Sequence, residues 1–324
     1  MIHSIDEQCP KVEDIVGERI LIFGGSGSLG TKSIQRWIEK NKIINVSRDE
    51  EKQWLLRRTI NNQNLSQRIG DIANEEDVSE AILKSDPTII YIFACLKHID
   101  LCEQFPKKSI DINAKGIMNV EHVLQRFKTN VKTVLFVSTD KACLPITTYG
   151  CSKAIAESFL QNVNINDVKW VGVRYGNVLN SSGSILPFLH SQKINQNPYP
   201  LTNQDMTRFI MSLDQSVNLI EYAVLHGKQN EIIIPALFSM RIEDLFHIFQ
   251  EITPKDIQIT GLRCKEKIHE DLLSPMEAKM AYVKGLYYHL GNKEVNQNVE
   301  PFDSSKYLIS KEVLKEYLSK KGYL

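Results

Sequence analysis

Several features that would class the chain outright are missing. There is no excess of charge: Lys+Arg and Asp+Glu are 39 each in 324 residues. A neutral balance gives no electrostatic reason to expect a nucleic acid or an anionic membrane as partner, so any anion site must be local. Cysteine is sparse and scattered. Cys9, Cys95, Cys102, Cys143, Cys151 and Cys264 form no CxxC pair and no Cys/His cluster. That spacing speaks against zinc, leaves no metal to expect, and fits reduced thiols in a cytoplasmic compartment. Long apolar runs are absent too. The longest, TIIYIFACL at 88–96, is about half of what a bilayer demands and reads as a buried strand. The opening MIHSIDEQCPKVEDIVGERI is acidic and has no signal-peptide core. No repeat or low-complexity linker interrupts the chain. An ordinary composition remains, 42% hydrophobic and 24% charged, long enough for a large α/β domain with a lobe, or for two domains.

Apolar runs of strand length alternate with helical patterns through the first half. RILIF (19–23), KIINVS (42–47), SQRIG (66–70), TIIYIF (88–93), KTVLFV (132–137) and KWVGVR (169–174) are predicted strands; 28–40, 75–84, 108–127 and 149–162 have helical spacing. Continuously apolar strands between helices imply a parallel sheet covered on both faces, a doubly wound dinucleotide (Rossmann) fold. After about residue 177 the pattern loosens. The expected division is a dinucleotide domain at 1–177, with 209–236 returning to it, and a smaller C-terminal substrate-binding lobe from 178–208 and 237–324.

The first strand runs into FGGSGSLG, placing Gly24, Gly27 and Gly30 at threefold spacing with Ser26, Ser28 and Leu29 between them. Glycines permit a tight turn and close backbone approach to a pyrophosphate, and the next helix offers unpaired N–H groups there. The second strand ends in Ser47 and Arg48, with Lys52 close behind. A guanidinium suits a 2′-phosphate, so NADP is favoured over NAD, although Asp49 and Glu50 keep NAD open. Asp71 and Ile72 follow the third strand where adenine would lie, and Asp71 could equally cap a helix. Ala94 ends the fourth strand at the cofactor edge.

The fifth strand delivers Ser138, Thr139, Asp140 and Lys141, and Tyr149 and Lys153 follow four apart. That spacing puts the last two on one helix face, where a cationic lysine would favour the phenolate. A tyrosinate could take a proton from an alcohol while the cofactor takes the hydride.

Together these motifs resemble the extended short-chain dehydrogenase/reductases. SRDE (47–50), LKH (96–98), STDKA (138–142), YGCSK (149–153), RYGNV (174–178), MTRF (206–209) and EKIHE (266–270) narrow the resemblance to the inverting UDP-N-acetylglucosamine 4,6-dehydratases. Within these, FDSSKYLISKEVLKEYL is similar to the subgroup that starts L-FucNAc and L-RhaNAc. The resemblance implies C4 oxidation, loss of water across C5/C6, hydride return to C6 and inversion at C5. It implies that Thr139 bonds the C4 oxygen and Tyr149 is the C4 base. Lys141, if neutral, would be the C5 base, and Asp140, if protonated, the acid at C6. It also implies that Lys97, Asn177, Met206, Arg208, Arg263 and Glu266 hold a UDP-sugar, with the two arginines and Asn177 on the diphosphate, and that the chain forms a homo-oligomer, dimer to hexamer.

The Asp140–Lys141 pair discriminates. Retaining dehydratases have a carboxylate pair there, and simple 4-epimerases have small or hydroxyl residues. These two remain the alternative enzyme reading. A non-catalytic NADP-binding regulator is a third, against which Tyr149, Lys153, Asp140 and Lys141 all stand. The chain departs from the family at Ser182, where arginine is usual, and at Cys151, Cys264 and Lys265. Lys265 is the expected replacement for the missing arginine's charge.

Overall fold

The computed structural model describes residues 4–295 and 297–324. Nine strands form one sheet. Six come from the alternating half: β1 (Arg19–Phe23), β2 (Lys42–Ser47), β3 (Leu65–Ile69), β4 (Ile89–Ile92), β5 (Thr133–Val137) and β6 (Lys169–Val173). Later strands are β7 (Asn177–Val178), β8 (Tyr199–Leu201), β9 (Thr207–Met211), β10 (Glu231–Pro235), β11 (Ser239–Arg241), β12 (Ile257–Ile259), β13 (Asp271–Leu273), β14 (Ala281–Lys284), β15 (Tyr287–Leu290) and β16 (Phe302–Asp303). The main sheet runs β14-β15-β10-β6-β5-β4-β1-β2-β3. Pairings from β3 to β10 are parallel, and β15 runs antiparallel to both its neighbours, β10 and β14.

Strands β4, β5 and β6 are almost wholly buried, as expected where helices cover both faces. The order reverses between β1 and β4, which opens the crevice where doubly wound sheets take ligands. β10 lies next to β6 in this sheet. The hairpin β14–β15 corrects the expected division. It falls in the range assigned to the second lobe, yet it pairs with β10 and extends the main sheet. Hairpin pairing depends on partners remote in sequence, so local periodicity carries no trace of it.

A second core forms around Leu186, Tyr199, Ile210, Phe246, Phe249 and Leu318. It is built on the small sheet β11-β9-β7 and the helices Ile242–Ile252 and Lys311–Lys320. Among the described residues no helix is long and apolar enough to cross a membrane.

The helical pattern at 108–127 resolves into Pro106–Ile110, a π-helical turn at Asp111–Lys115, and Gly116–Arg126. Such turns recur at functional sites. This one carries Asn113, whose amide accepts from Leu96 N (2.8 Å) and donates to Leu96 O (2.9 Å) and Ser152 Oγ (3.0 Å). It ties the end of β4 to the helix at Thr148–Asn162.

Arg174, directly after β6, is 1% exposed. Its guanidinium grips Glu157 twice (3.0 and 2.5 Å), Glu277 (2.7 Å) and the Leu272 carbonyl (3.0 Å). Burial would raise the Glu277 pKa, but Arg174 overrides it and brings that carboxyl to about 2. Removing one partner of a buried ion pair strands the rest. Arg174→Ala is therefore expected to cost about 3–5 kcal/mol in stability, read as a fall in the denaturant midpoint. A loss under about 1 kcal/mol would show the network to be dispensable.

Candidate active site

A cavity of about 650 Å³ opens along the carboxyl ends of β1, β2, β4, β5 and β6. Its floor is the first turn of the chain. Gly24 takes φ +92°, and a Cβ there would sit 2.6 Å from Ala94 N. That residue must be glycine for β1 and β4 to splay. Ser26, Gly27, Ser28, Leu29 and Gly30 all face the cavity. Gly27 heads the helix Ser28–Trp37, which has no side-chain cap and no acidic residue in its first turn. Open N–H groups and the positive dipole end therefore point into the space, the donor set a pyrophosphate needs.

At the end of β2, Ser26 Oγ donates to Ser47 Oγ (3.0 Å). Asp49 also lines the cavity, but its carboxylate caps the next helix through Lys52 N (3.0 Å) and pairs with Lys52 Nζ (2.9 Å). Lys52 lines the cavity but arrives with that partner. Arg48 is half exposed, 3.4 Å from Asp71. The question left open for Asp71 has an answer. Asn74 caps the helix Glu75–Ser85, whereas Asp71 lines the cavity beside Ile72 and accepts from Ala73 N (3.0 Å).

The proton-bearing groups lie at the other end. Thr139, Asp140 and Lys141 form a tight turn held by Asp140 N donating to Tyr175 O (3.0 Å). A Cβ on Gly150 would meet Lys141 O at 2.2 Å, so the helix carrying Tyr149 can press against the turn only with glycine there. Thr139 Oγ1 donates to Asp140 Oδ1 (2.9 Å). Lys141 Nζ stands 3.0 Å from Asp140 Oδ1 and 3.3 Å from Glu270 Oε1. Burial, reinforced by the Glu270 charge, pushes the Asp140 pKa up against the pull of Lys141. Burial also disfavours the Lys141 ammonium, yet the two carboxylates outweigh it and raise the lysine pKa. The turn thus presents a carboxyl of raised pKa beside an ammonium, and the expected neutral amine is not the resting form.

Tyr149 and Lys153 both line the cavity, but the expected pairing is corrected. Lys153 Nζ donates to the Val137 carbonyl (2.5 Å) and lies 4.0 Å over the Phe136 ring. Burial lowers its pKa to about 8. The phenol of Tyr149 moves up, by burial first and then the neighbouring Cys95, with Thr139 opposing. Both groups are nearly enclosed, and loss of hydration is the first cause of each shift.

The residues expected on the substrate are not all brought to one place. Asn177 lines the cavity, and its buried Oδ1 has no hydrogen-bond partner. Met206, Arg208, Arg263 and Glu266 do not line it. Met206 is in the second core. Arg208 spends its guanidinium on the carbonyls of Thr207 (2.7 Å), Lys267 (3.0 Å) and Ile268 (3.0 Å). Arg263 is exposed, 3.6 Å from Asp100. Glu266 accepts from Arg263 N (3.2 Å). Lys265 binds Glu103 (2.8 Å) and is not a stand-in for charge at Ser182. Ser182 is instead bound into the cavity wall: its carbonyl accepts from Lys97 Nζ (2.5 Å), and its N and Oγ meet Ser28 Oγ at 3.0 and 2.9 Å.

Two residues escaped the sequence reading, Asn113 and Glu270. Asn113 left one signal, a polar residue on the apolar stripe of a helical pattern. Glu270 was within the EKIHE motif but carried no role.

Ser138 Oγ, Asp140 Oδ2, Asn177 Oδ1 and Ser184 Oγ all border the cavity as buried polar atoms without partners. Unpaired donors and acceptors around one space, with an anion cradle at one end and an acid, an ammonium and a phenol at the other, suit an anionic, hydroxyl-rich ligand beside a dinucleotide.

Comparison with known proteins agrees. A family described as polysaccharide biosynthesis protein matches residues 20–291. A UDP-glucose 4-epimerase of Rickettsia canadensis is 35% identical over 289 residues, 85% of this chain and 83% of the relative. The X-ray structure of Pen from Bacillus thuringiensis superposes with a TM-score of 0.89 at 27% identity, covering 95% of this chain and 99% of that one. A dTDP-glucose 4,6-dehydratase of Streptomyces venezuelae, solved with NAD and TYD bound, shares the fold, with a TM-score of 0.68 at 16% identity over 77% of this chain and 86% of that one.

Proposed function

The chain belongs to the polysaccharide biosynthesis family, among the short-chain dehydrogenase/reductase enzymes that epimerise or dehydrate nucleotide sugars, and from that premise we propose that it is an inverting UDP-N-acetylglucosamine 4,6-dehydratase. The observation that carries the reading is the Asp140–Lys141 pair at the cavity end of β5, acid and amine 3.0 Å apart. Dehydration with inversion needs a base at C5 and an acid at C6. A carboxyl and an amine in contact can supply both and trade the proton between them.

A bound nicotinamide would accept hydride from C4 and return it to C6, so that it is not consumed. The cradle residues 24–30, with Ser47, Arg48, Asp71, Ile72 and Ala94, would hold it, and Asp49, already committed to its helix, favours NADP over NAD. Tyr149 takes the C4 hydroxyl proton once its own phenol proton has been relayed to solvent, with Thr139 bonded to the same oxygen and Lys153 orienting the site. The new ketone acidifies C5–H. Lys141 takes that proton and Asp140 gives one to the C6 hydroxyl, which leaves as water. Protonation of C5 from the opposite face completes the L-configured 4-keto-6-deoxy sugar. Since Lys141 rests as the ammonium, it must first pass its proton to Asp140, 3.0 Å away, which leaves the amine as base and the carboxylic acid as proton donor. Lys97 and Asn177 reach the sugar and diphosphate. Arg208 and Arg263 would join only after the 260s segment rearranges.

A second reading, UDP-sugar 4-epimerisation, is favoured by the name of the Rickettsia relative. Proton NMR of UDP-GlcNAc turned over in D2O separates them. Deuterium at C5 with an L-configured 4-keto product is expected; UDP-GalNAc, or a dehydrated product of D configuration, would overturn the assignment. Lys141→Met should still oxidise C4, seen as reduced-cofactor absorbance, but lose dehydration by about 10²-fold or more. Arg48→Ala should weaken NADP at least tenfold while leaving NAD within about twofold, by fluorescence titration; equal losses for both would exclude a 2′-phosphate contact. A homo-oligomer fits the exposed Leu101, Phe105, Ile110 and Ile155 on the helices after β4 and β5. Sedimentation velocity should give a dimer to hexamer, and a monomer at micromolar concentration would reject it.

A further inference from the structure

We infer that Glu270 is a positioning residue which, through its carboxylate beside Lys141, sets the pH range over which the Asp140–Lys141 pair can act as acid and base. The inference rests on the proposal that this pair performs the proton transfers at C5 and C6.

Glu270 is 4% exposed and sits at the end of EKIHE, just before β13. Its backbone is pinned on both sides by Ser304, through Glu270 N to Ser304 Oγ (2.9 Å) and Ser304 N to Glu270 O (2.8 Å). The side chain is therefore aimed. Oε1 lies 3.3 Å from Lys141 Nζ and 3.8 Å from Arg208 Nε, and Oε2 is buried with no hydrogen-bond partner. Asp140 and Lys141 face it from the turn after β5, Arg208 from β9 and Lys267 from its own segment. The charges alternate along Asp140, Lys141, Glu270 and Arg208.

Two groups alone would not make an acid and a base. A buried carboxyl and amine in contact settle as carboxylate and ammonium, which leaves neither a proton donor at Asp140 nor a free amine. A third, fixed anion changes the count. Glu270 balances the ammonium and opposes a second anion at Asp140, so a proton passed to Asp140 is held there more readily. Both effects raise a pKa: the anion stabilises Lys141 as the cation and opposes Asp140 as the anion. A bell-shaped rate profile bounded by these two groups would move as a whole when the charge is removed, and it would move to lower pH.

The test is Glu270→Gln and Glu270→Asp in the holoenzyme, with ¹³C,¹⁵N-lysine labelling and Lys141 assigned by comparison with Lys141→Met. In Glu270→Gln the Lys141 titration midpoint should fall by about one to three pH units. The pH profile for C5 deuterium incorporation should shift the same way. In Glu270→Asp the charge is kept but drawn back by one methylene, so the midpoint should lie between those of the other two proteins. A folded Glu270→Gln with an unmoved Lys141 midpoint, or a lowered rate at an unmoved profile, overturns the inference. Should the glutamine variant not fold, an aspartate variant with an unmoved midpoint overturns it equally. The midpoint is read without substrate. A wild-type enzyme that titrates as expected but leaves the C5 hydrogen of UDP-GlcNAc unexchanged therefore counts against the proposed reaction and leaves Glu270's role standing.

Discussion

Three walls of the cavity meet at one buried guanidinium. Arg174 leaves the end of β6 and holds Glu157 on the helix that carries Tyr149 and Lys153. It also holds Glu277 and the Leu272 carbonyl, downstream of Glu270. The next residue, Tyr175, receives Asp140 N through its own carbonyl. Cys143, at the end of the acid turn, donates its thiol to the same Glu277 (3.1 Å). Strand, helix, turn and lobe are thus keyed to a single planar cation with five donors in a fixed fork. A buried ion network of this kind adds little net stability over an apolar packing of the same volume, because its desolvation is costly. What it supplies here is uniqueness of arrangement: the acid turn and the tyrosine helix have one relative position that satisfies every charge.

The cavity end of the protein then works as an electrostatic sequence. From the cradle, with its unpaired N–H groups, the lining passes to a lysine at reduced pKa, a phenol held neutral, and an acid beside an ammonium. Each departs from its ordinary pKa for one dominant reason, burial in a crevice between strand ends. The exception is Lys141, for which two carboxylates overcome burial. Lysine at 141 and lysine at 153 therefore shift in opposite directions although both are enclosed. The difference is what each one touches: carboxylates in one case, a carbonyl oxygen and an aromatic face in the other.

What could be read in the sequence was whatever is local. Strands β1 to β6 announce themselves by apolar runs, and the cradle by glycines at fixed spacing after a strand. The acid turn is legible because its three residues are contiguous. Contacts made at a distance were not legible. Arg208 looks like a diphosphate clamp by its motif, but the carbonyls that absorb it belong to Lys267 and Ile268, some sixty positions on. Tyr149 and Lys153 share a helix face, yet the carbonyl that captures the lysine comes from β5. The hairpin β14–β15 was assigned to the wrong body for the same reason. Nothing local in 281–290 says which edge it joins; only the folded chain does. Glu270 lies in a quoted motif but gains meaning only from Lys141, on another element.

The segment 181–184 is a lintel over the cradle. Ser182 hangs from Ser28 and from Lys97, and Gly183 rests so close to His98 that a Cβ there would be 2.6 Å from the ring. Whatever lies against the first turn of the glycine helix has this segment across its way out. Three hydrogen bonds hold the segment there, and none of them involves the acid turn at the far end of the cavity. Residence and reaction are in this way given to different parts of the chain. The wall of the cavity is stitched to its own glycine turn, and the two move as one piece or not at all.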